Sequence, residues 1–291
     1  MSDLAVAVEA ALGGRDAVAV ERVVPVGGGC ISEVARVELG DGRSVLAKSA
    51  AGTPDGLLAA EADGLRWLAE GLEGATVTRV PGVLALTRDV LVTEWVEPGR
   101  CREATGEALG RGLALLHAAG APRFGGPRDG FIGTLPQRNV PGADDWPTFW
   151  FTHRIEPLTA LAHDRGALPP GTAALVDRLA DRLAGLAGPP EPPARLHGDL
   201  WWGNVHVDTQ GIPWLIDPAA YGGHREADLA MLTLFGDLPP ALVAAYEAQS
   251  PLADGWRERL RLWQLEPLLV HAALFSGGYG ASARAVLDRW A

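Results

Sequence analysis

Residues 197–217 read His197-Gly198-Asp199-Leu200-Trp201-Trp202-Gly203-Asn204-Val205-His206-Val207-Asp208-Thr209-Gln210-Gly211-Ile212-Pro213-Trp214-Leu215-Ile216-Asp217. The second half predicts a hairpin: residues 205–207 and 212–216 are short apolar segments around Asp208-Thr209-Gln210-Gly211, a turn composition. Antiparallel pairing sets the residue before the first strand beside the residue that ends the second, with facing Cα atoms roughly 5 Å apart. Those residues are Asn204 and Asp217, an amide oxygen and a carboxylate converging on one point. Oxygen ligands of that kind suit Mg²⁺.

The first half, His-x-Asp-x-x-x-x-Asn, has the spacing of a kinase catalytic loop. In such a loop the aspartate accepts the proton of the attacking hydroxyl, the asparagine binds one metal, and a later aspartate bridges metal and phosphates. Asp199, Asn204 and Asp217 occupy those places. A turn at His-Gly-Asp with Asn204 as a cap is the plainer reading of the eight residues alone. The hairpin, Asp217 and the rest of the chain weigh against it.

Outside this stretch the rarest residues are the most informative. Only one of the 25 basic side chains is a lysine, Lys48, and the asparagines are Asn139 and Asn204. A bias this strong replaces any lysine that arginine can replace. A surviving lysine therefore marks a place for a compact ammonium acting as a point charge on phosphate. Lys48 stands in the apolar segment Ser44-Val45-Leu46-Ala47, which reads as a strand.

Residues 18–26 and 31–39 predict two strands around Gly27-Gly28-Gly29-Cys30, and Asp41-Gly42 a tight turn into a third strand at 43–49. Residues 54–70 carry leucines at helical spacing, and 83–86 and 90–96 supply further strands. Residues 1–96 are thus expected to form a small antiparallel β lobe. Pro98-Gly99-Arg100 breaks the pattern. From 97 to 291 helices dominate, at 105–119, 146–164, 170–186, 225–235, 239–249, 255–275 and 282–291, with residues 120–145 expected as a long, functional loop. The fold class is α+β, in two lobes.

Composition bounds the partners. The 291 residues are 47% hydrophobic and 21% charged, which is ordinary for a soluble globular protein. A formal charge of −11 repels nucleic acid and anionic membranes. Residues 1–14 read as a short amphipathic helix rather than a signal peptide. Two cysteines are too few for a disulfide framework, so a cytoplasmic setting is expected.

The segment 197–204, with Trp201 after His-Gly-Asp-Leu, resembles the fructosamine kinase (ketosamine-3-kinase) family. So do Leu215-Ile216-Asp217-Pro218-Ala219 and Tyr221-Gly222-Gly223-His224-Arg225-Glu226-Ala227-Asp228-Leu229-Ala230-Met231. Further likeness lies in Gly28-Gly29-Cys30-Ile31-Ser32, in Phe131-Ile132-Gly133 with Pro136-Gln137-Arg138-Asn139, and in Trp146-Pro147-Thr148-Phe149. The resemblance implies the aminoglycoside-phosphotransferase and protein-kinase-like fold. It implies that ATP and Mg²⁺ are used to phosphorylate the 3-hydroxyl of a ketosamine, whose product eliminates and releases the amine.

The family's roles, carried over, fall as follows. Gly28, Gly29, Cys30, Ile31 and Ser32 cradle the nucleotide phosphates, and Lys48 contacts them. Glu61 pairs with Lys48, with Asp63 and Glu70 as competitors. The backbone of Glu94, Trp95 and Val96 holds adenine. Asp228 anchors the catalytic loop from a buried helix start, and His197 hydrogen-bonds behind it. Trp201 is either a platform for the acceptor sugar and its ammonium or a core tryptophan. His224 and Glu226 either line the acceptor pocket or are structural. Cys30, in the phosphate cradle, is either a small packing residue or a redox-sensitive thiol through which a dimer could form. The competing functions are an aminoglycoside or choline-type phosphotransferase of the same fold, a nucleotide-binding pseudokinase, and a protein kinase. Only six residues, 218–223, lie between Asp217 and His224-Arg225-Glu226, which leaves little room for a peptide platform.

Overall fold

The computed structural model describes residues 2–13, 18–27 and 32–291. Its first element is α1 (Asp3–Leu12), capped by Ser2, whose hydroxyl accepts from the Ala5 amide at 3.3 Å. The strands β1 (Val20–Pro25), β2 (Val34–Leu39), β3 (Ser44–Ser49), β4 (Val83–Leu86) and β5 (Val90–Glu94) make one antiparallel sheet in the order β1-β2-β3-β5-β4. The period-two alternation of strands gives this sheet two characters. Val37, Val45, Ala47 and Val92 face α1 and form a small core with Leu4 and Val8. Lys48, one residue on from Ala47, falls on the opposite face and pairs with Leu91 in register.

That opposite face is covered by α2 (Leu57–Gly71). Leu57, Leu58 and Ala62 of α2 pack with Leu91 of β5 and with Phe131. Glu61 lies three and four residues beyond Leu58 and Leu57, and four before the buried Leu65. It therefore shares the inward stripe of the helix.

The helical lobe begins at α3 (Glu103–Ala118). The hairpin β6 (Gly130–Ile132) and β7 (Leu135–Gln137) follows, inside the stretch expected to be an unstructured loop. Next come α4 (Trp146–Trp150), a π-helical turn at Phe151–Ile155, α5 (Glu156–Asp164) and α6 (Thr172–Leu186). β8 (Ala194–Leu196) pairs antiparallel with β11 (Tyr221–Gly223), two strands that sequence patterning did not predict. Between them lies the predicted hairpin, β9 (Val205–Val207) and β10 (Pro213–Leu215). The chain finishes with α7 (Glu226–Leu232), α8 (Pro240–Gln249), α9 (Trp256–Trp263), α10 (Leu265–Phe275) and α11 (Tyr279–Trp290). The single helix expected at 255–275 is two, meeting at Gln264. One large core, including Trp150, Trp263, Leu113 and Leu196, unites this lobe. The architecture is a bilobal α+β kinase-like fold. Among the described residues no helix is long and apolar enough to cross a membrane.

Candidate active site

The loop 197–204 is slung between β8 and β9, and its backbone is held from below. Asp228, buried in the first turn of α7, accepts from the amides of His197 (2.8 Å) and Gly198 (2.9 Å). Burial alone would raise its pKa, but the hydrogen bond and charge of His117, with the Gly198 amide, hold it below the ordinary carboxylate value. Gly198 has φ +82, and a Cβ there would come within 2.1 Å of the Ala219 carbonyl oxygen. Only glycine fits this turn. His197 is fully buried, which pushes its pKa down. Its Nε2 lies 2.9 Å from the Ile216 carbonyl and its Nδ1 3.3 Å from the Asp199 amide. A carbonyl only accepts and an amide only donates, so the ring is the neutral Nε2–H tautomer. It braces the loop and is not aimed at a reacting group.

Asp199 then projects into the cleft between the lobes. Asn204 donates from Nδ2 to the Asp199 carbonyl oxygen (2.8 Å) and to its carboxylate (3.1 Å). With Nδ2 so engaged, the Asn204 amide oxygen is the atom left for another partner. Burial pushes the Asp199 pKa up to about 7, helped by the negative charges of Asp217 and Asp228 and opposed by Asn204. The Ile216 amide donates to the Asn204 carbonyl at 3.0 Å, so Asn204 faces Ile216 across the hairpin end rather than Asp217, which follows one residue on.

Asp217 has φ +55, the left-handed region that aspartate tolerates better than most residues. That turn carries its carboxylate to the Lys48 ammonium. Lys48 also donates to Glu61 at 2.6 Å. Lysine burial works against its charge, yet the two carboxylates outweigh it and hold the pKa above the ordinary value. Glu61 is shifted upward by burial, with Lys48 opposing. Its competitors face away: the Asp63 and Glu70 side chains are 44% and 70% exposed.

These groups line a cleft of about 470 Å³. Ser32 and Lys48 come from the sheet side, Glu61 from α2, Asp199, Asn204 and Asp217 from the loop 197–204 and the end of the hairpin, and the exposed rings of Trp201, Phe235 and Phe275 form an aromatic mouth. Trp201 is 39% exposed and so is no core residue. Its ring lies over Gly203, where a Cβ would meet it at 2.1 Å, which explains the glycine two positions on. Phe235 meets Trp201 edge-on, with centroids 6.2 Å apart, and His271 bridges Phe235, Phe275 and Tyr279. Sequence reading did not single out Phe235, His271, Phe275 or Tyr279. The available signal was two aromatic rings at four-residue spacing, His271 and Phe275, on the second half of α10, which is otherwise aliphatic.

Two expected pocket residues are elsewhere. Glu226 is fully buried, gripped by Arg259 (2.6 and 2.9 Å) and by the Trp263 indole N–H (2.8 Å). His224 is buried between Trp146 and Trp263 and receives the Glu226 amide. Neither lines the cleft. Both anchor the start of α7 behind it, because a buried carboxylate needs the fixed donors that α9 supplies. Glu94 ends β5, its carboxylate accepting from the Gly82 amide at 2.8 Å. Trp95, under the Arg36 guanidinium, and Val96 lead toward the helical lobe without lining the cleft. Gly28, Gly29, Cys30 and Ile31 fall outside the described residues. Among the described residues the free thiol is Cys101, which is exposed.

The fructosamine kinase family profile matches residues 4–291. The crystal structure of a Thermobifida fusca protein assigned as a fructosamine-3-kinase superposes with a TM-score of 0.89 at 43% identity, covering 98% of this chain and 97% of that one. A protein of Enterococcus faecium named probable ketoamine kinase is 35% identical over 92% of this chain and 95% of its own length. A chloroplastic protein-ribulosamine 3-kinase of rice, Oryza sativa, is 33% identical over 91% of this chain and 78% of its own.

Proposed function

The chain belongs to the fructosamine kinase family, and we propose that it transfers the γ-phosphoryl group of ATP to the 3-hydroxyl of a ketosamine, a sugar carried on an amine. One observation carries the reading: Lys48, Glu61, Asp199, Asn204 and Asp217, from both lobes and from three separate stretches of sequence, meet in a single cleft beside an open aromatic mouth. Residues 1–96 are then the nucleotide-binding lobe and 97–291 the catalytic and substrate lobe. The family relationship and the acidic, cysteine-poor composition support a cytoplasmic setting.

Phosphoryl transfer asks a protein chiefly for positioning and charge stabilisation. Asp199 takes the proton of the attacking hydroxyl. Its pKa near 7 suits that task, because a general base works best when its pKa lies close to the operating pH. Lys48, fixed by Glu61, presents an ammonium to the nucleotide phosphates. The backbone of residues 94–96 receives adenine, and the glycine-rich segment 28–32 covers the phosphates.

The donor set fits Mg²⁺. The Asn204 amide is oriented with its oxygen uncommitted, and Asp217 offers a carboxylate in the same cleft. Among the described residues no cluster of three or more His, Cys, Asp and Glu could make an all-protein cage. Mg²⁺ in phosphoryl-transfer sites is ordinarily held by one or two protein oxygens together with phosphates. Bound there, it would neutralise charge on the phosphates. Trp201 and the rings beside it offer faces for the apolar side of the sugar and for the ammonium next to it. The phosphorylated product eliminates phosphate and frees the amine, so the reaction serves deglycation.

The test is ATP consumption with Mg²⁺ against fructosyl-lysine, ribulosyl-lysine, an aminoglycoside and choline. Turnover on a ketosamine with loss of the adduct is expected. Turnover confined to the aminoglycoside or choline overturns the substrate assignment and leaves the mechanism standing.

A further inference from the structure

Gln137, on β7 of the hairpin that follows α3, is 3% exposed, and neither its amide nitrogen nor its amide oxygen has a hydrogen-bond partner among the described residues. Other buried polar atoms also lack a hydrogen-bond partner, in Trp146, Arg154, Thr159, His206 and Trp290, but none of those side chains lines the cleft, whereas Gln137 does. A buried amide with both its donor and its acceptor unmade is costly to the fold. An apolar residue would serve the packing better. The amide is therefore explained by what enters the cleft.

Its support is built for precision. Asp129 accepts from the amides of Asn139 (2.7 Å) and Val140 (3.0 Å), pinning the chain just beyond β7. The buried Arg154 donates to the Arg138 carbonyl and, at 2.6 Å, to the Asn139 side chain. Phe131 and Ile132 on the partner strand, and Leu57 on α2, make that part of the cleft apolar. A fixed amide in apolar surroundings discriminates strongly, because a ligand lacking the matching groups leaves it unpaired.

We propose that Gln137 binds the acceptor, its amide pairing with hydroxyl groups of the ketosamine sugar, and that it is a specificity-determining residue of the reaction. An uncharged amide carries one acceptor and a donor pair, and a sugar hydroxyl both donates and accepts. A phosphate would call for a cation, and Lys48 already supplies one. The inference rests on the ketosamine-kinase reading and extends it.

The experiment compares wild type with Gln137→Met, which has the same length without polar atoms, and with Gln137→Glu, which keeps acceptors and loses the donor. KM is measured for fructosyl-lysine and for ATP, and Tm without ligands. For both variants the fructosyl-lysine KM is expected to rise about tenfold or more, the cost of one or two lost hydrogen bonds, with ATP KM unchanged. Gln137→Met should keep or raise Tm. An unchanged fructosyl-lysine KM in both variants overturns the inference, as does a rise confined to ATP. A fall in Tm for Gln137→Met with unaltered KM values shows a purely structural residue. Wild type inactive on fructosyl-lysine overturns instead the reading beneath it.

Discussion

The carboxylate of Asp217, on the helical lobe, meets the ammonium of Lys48, 169 residues earlier and on the sheet. The same ammonium holds Glu61. One lysine thus closes the two lobes on each other and neutralises an almost buried glutamate. Lys48→Met leaves Glu61 without its counter-charge, which costs about 3 kcal/mol or more. Turnover should vanish and Tm fall. Adding Glu61→Gln should restore much of the Tm and none of the activity. Equal Tm values for the single and double variants would contradict the pairing argument. Lys48→Arg should lose at least about tenfold in kcat/KM for ATP, because a planar fork cannot reproduce a point charge between two carboxylates.

Asp199 makes the stability of the ligand-free protein depend on pH. Its folded pKa of about 7 lies above the ordinary 3.8. Below about pH 4 both folded and unfolded chains are protonated here and the residue costs nothing. Between those values the unfolded chain releases its proton while the folded chain keeps it. Above about pH 7 the folded chain carries the buried charge and the whole penalty applies. Asp199→Asn should therefore match wild type in Tm near pH 4 and exceed it at pH 8. A Tm difference that does not change with pH would refute the assigned shift. The variant should still bind ATP, and its turnover should fall by about two orders of magnitude or more with loss of the base.

Much of this site could be read along the chain because its parts are local or rare. The spacing from His197 to Asn204 and the hairpin to Asp217 span 21 residues, and Lys48 stands alone among arginines. The choice of Glu61 over Asp63 and Glu70 needed the helix face, which Leu57 and Leu58 define. What escaped was non-local. β8 and β11 are three residues each and pair only across the intervening loop and hairpin, so neither shows a period. The aromatic mouth draws Trp201, Phe235, His271 and Tyr279 from separate segments. Glu226 looked available for substrate until the fold brought Arg259, 33 residues later, onto it.

Asp228 offers a second route to the catalytic loop, one that does not touch substrate. Its two oxygens take the amides of His197 and Gly198, and one also meets His117 at 3.2 Å. Asp228→Ala leaves these buried donors unmade, at roughly 1–3 kcal/mol each. Tm should fall, and kcat should drop about tenfold or more as Asp199 loses its fixed position. ATP KM should change little, since Lys48 and Glu61 lie on other elements. Asp228→Asn keeps an acceptor oxygen and should fall between wild type and alanine in both kcat and Tm. Identical behaviour of the two variants would argue against an anchoring role.

The pair Glu226 and Arg259 separates support from specificity. Glu226 is fully buried, and its charge is matched by the guanidinium of Arg259 and the indole of Trp263. Arg259→Leu strands that charge behind the site, and loss of one partner from such a pair costs about 3–5 kcal/mol. Tm should fall sharply. Arg259→Leu combined with Glu226→Leu removes both charges and should recover most of the loss, because an apolar pair can replace a buried ion pair with little penalty. The double variant, once folded, should keep the wild-type order of preference among fructosyl-lysine, ribulosyl-lysine and an aminoglycoside. A changed order would return Glu226 to the acceptor pocket, from which its contacts now exclude it.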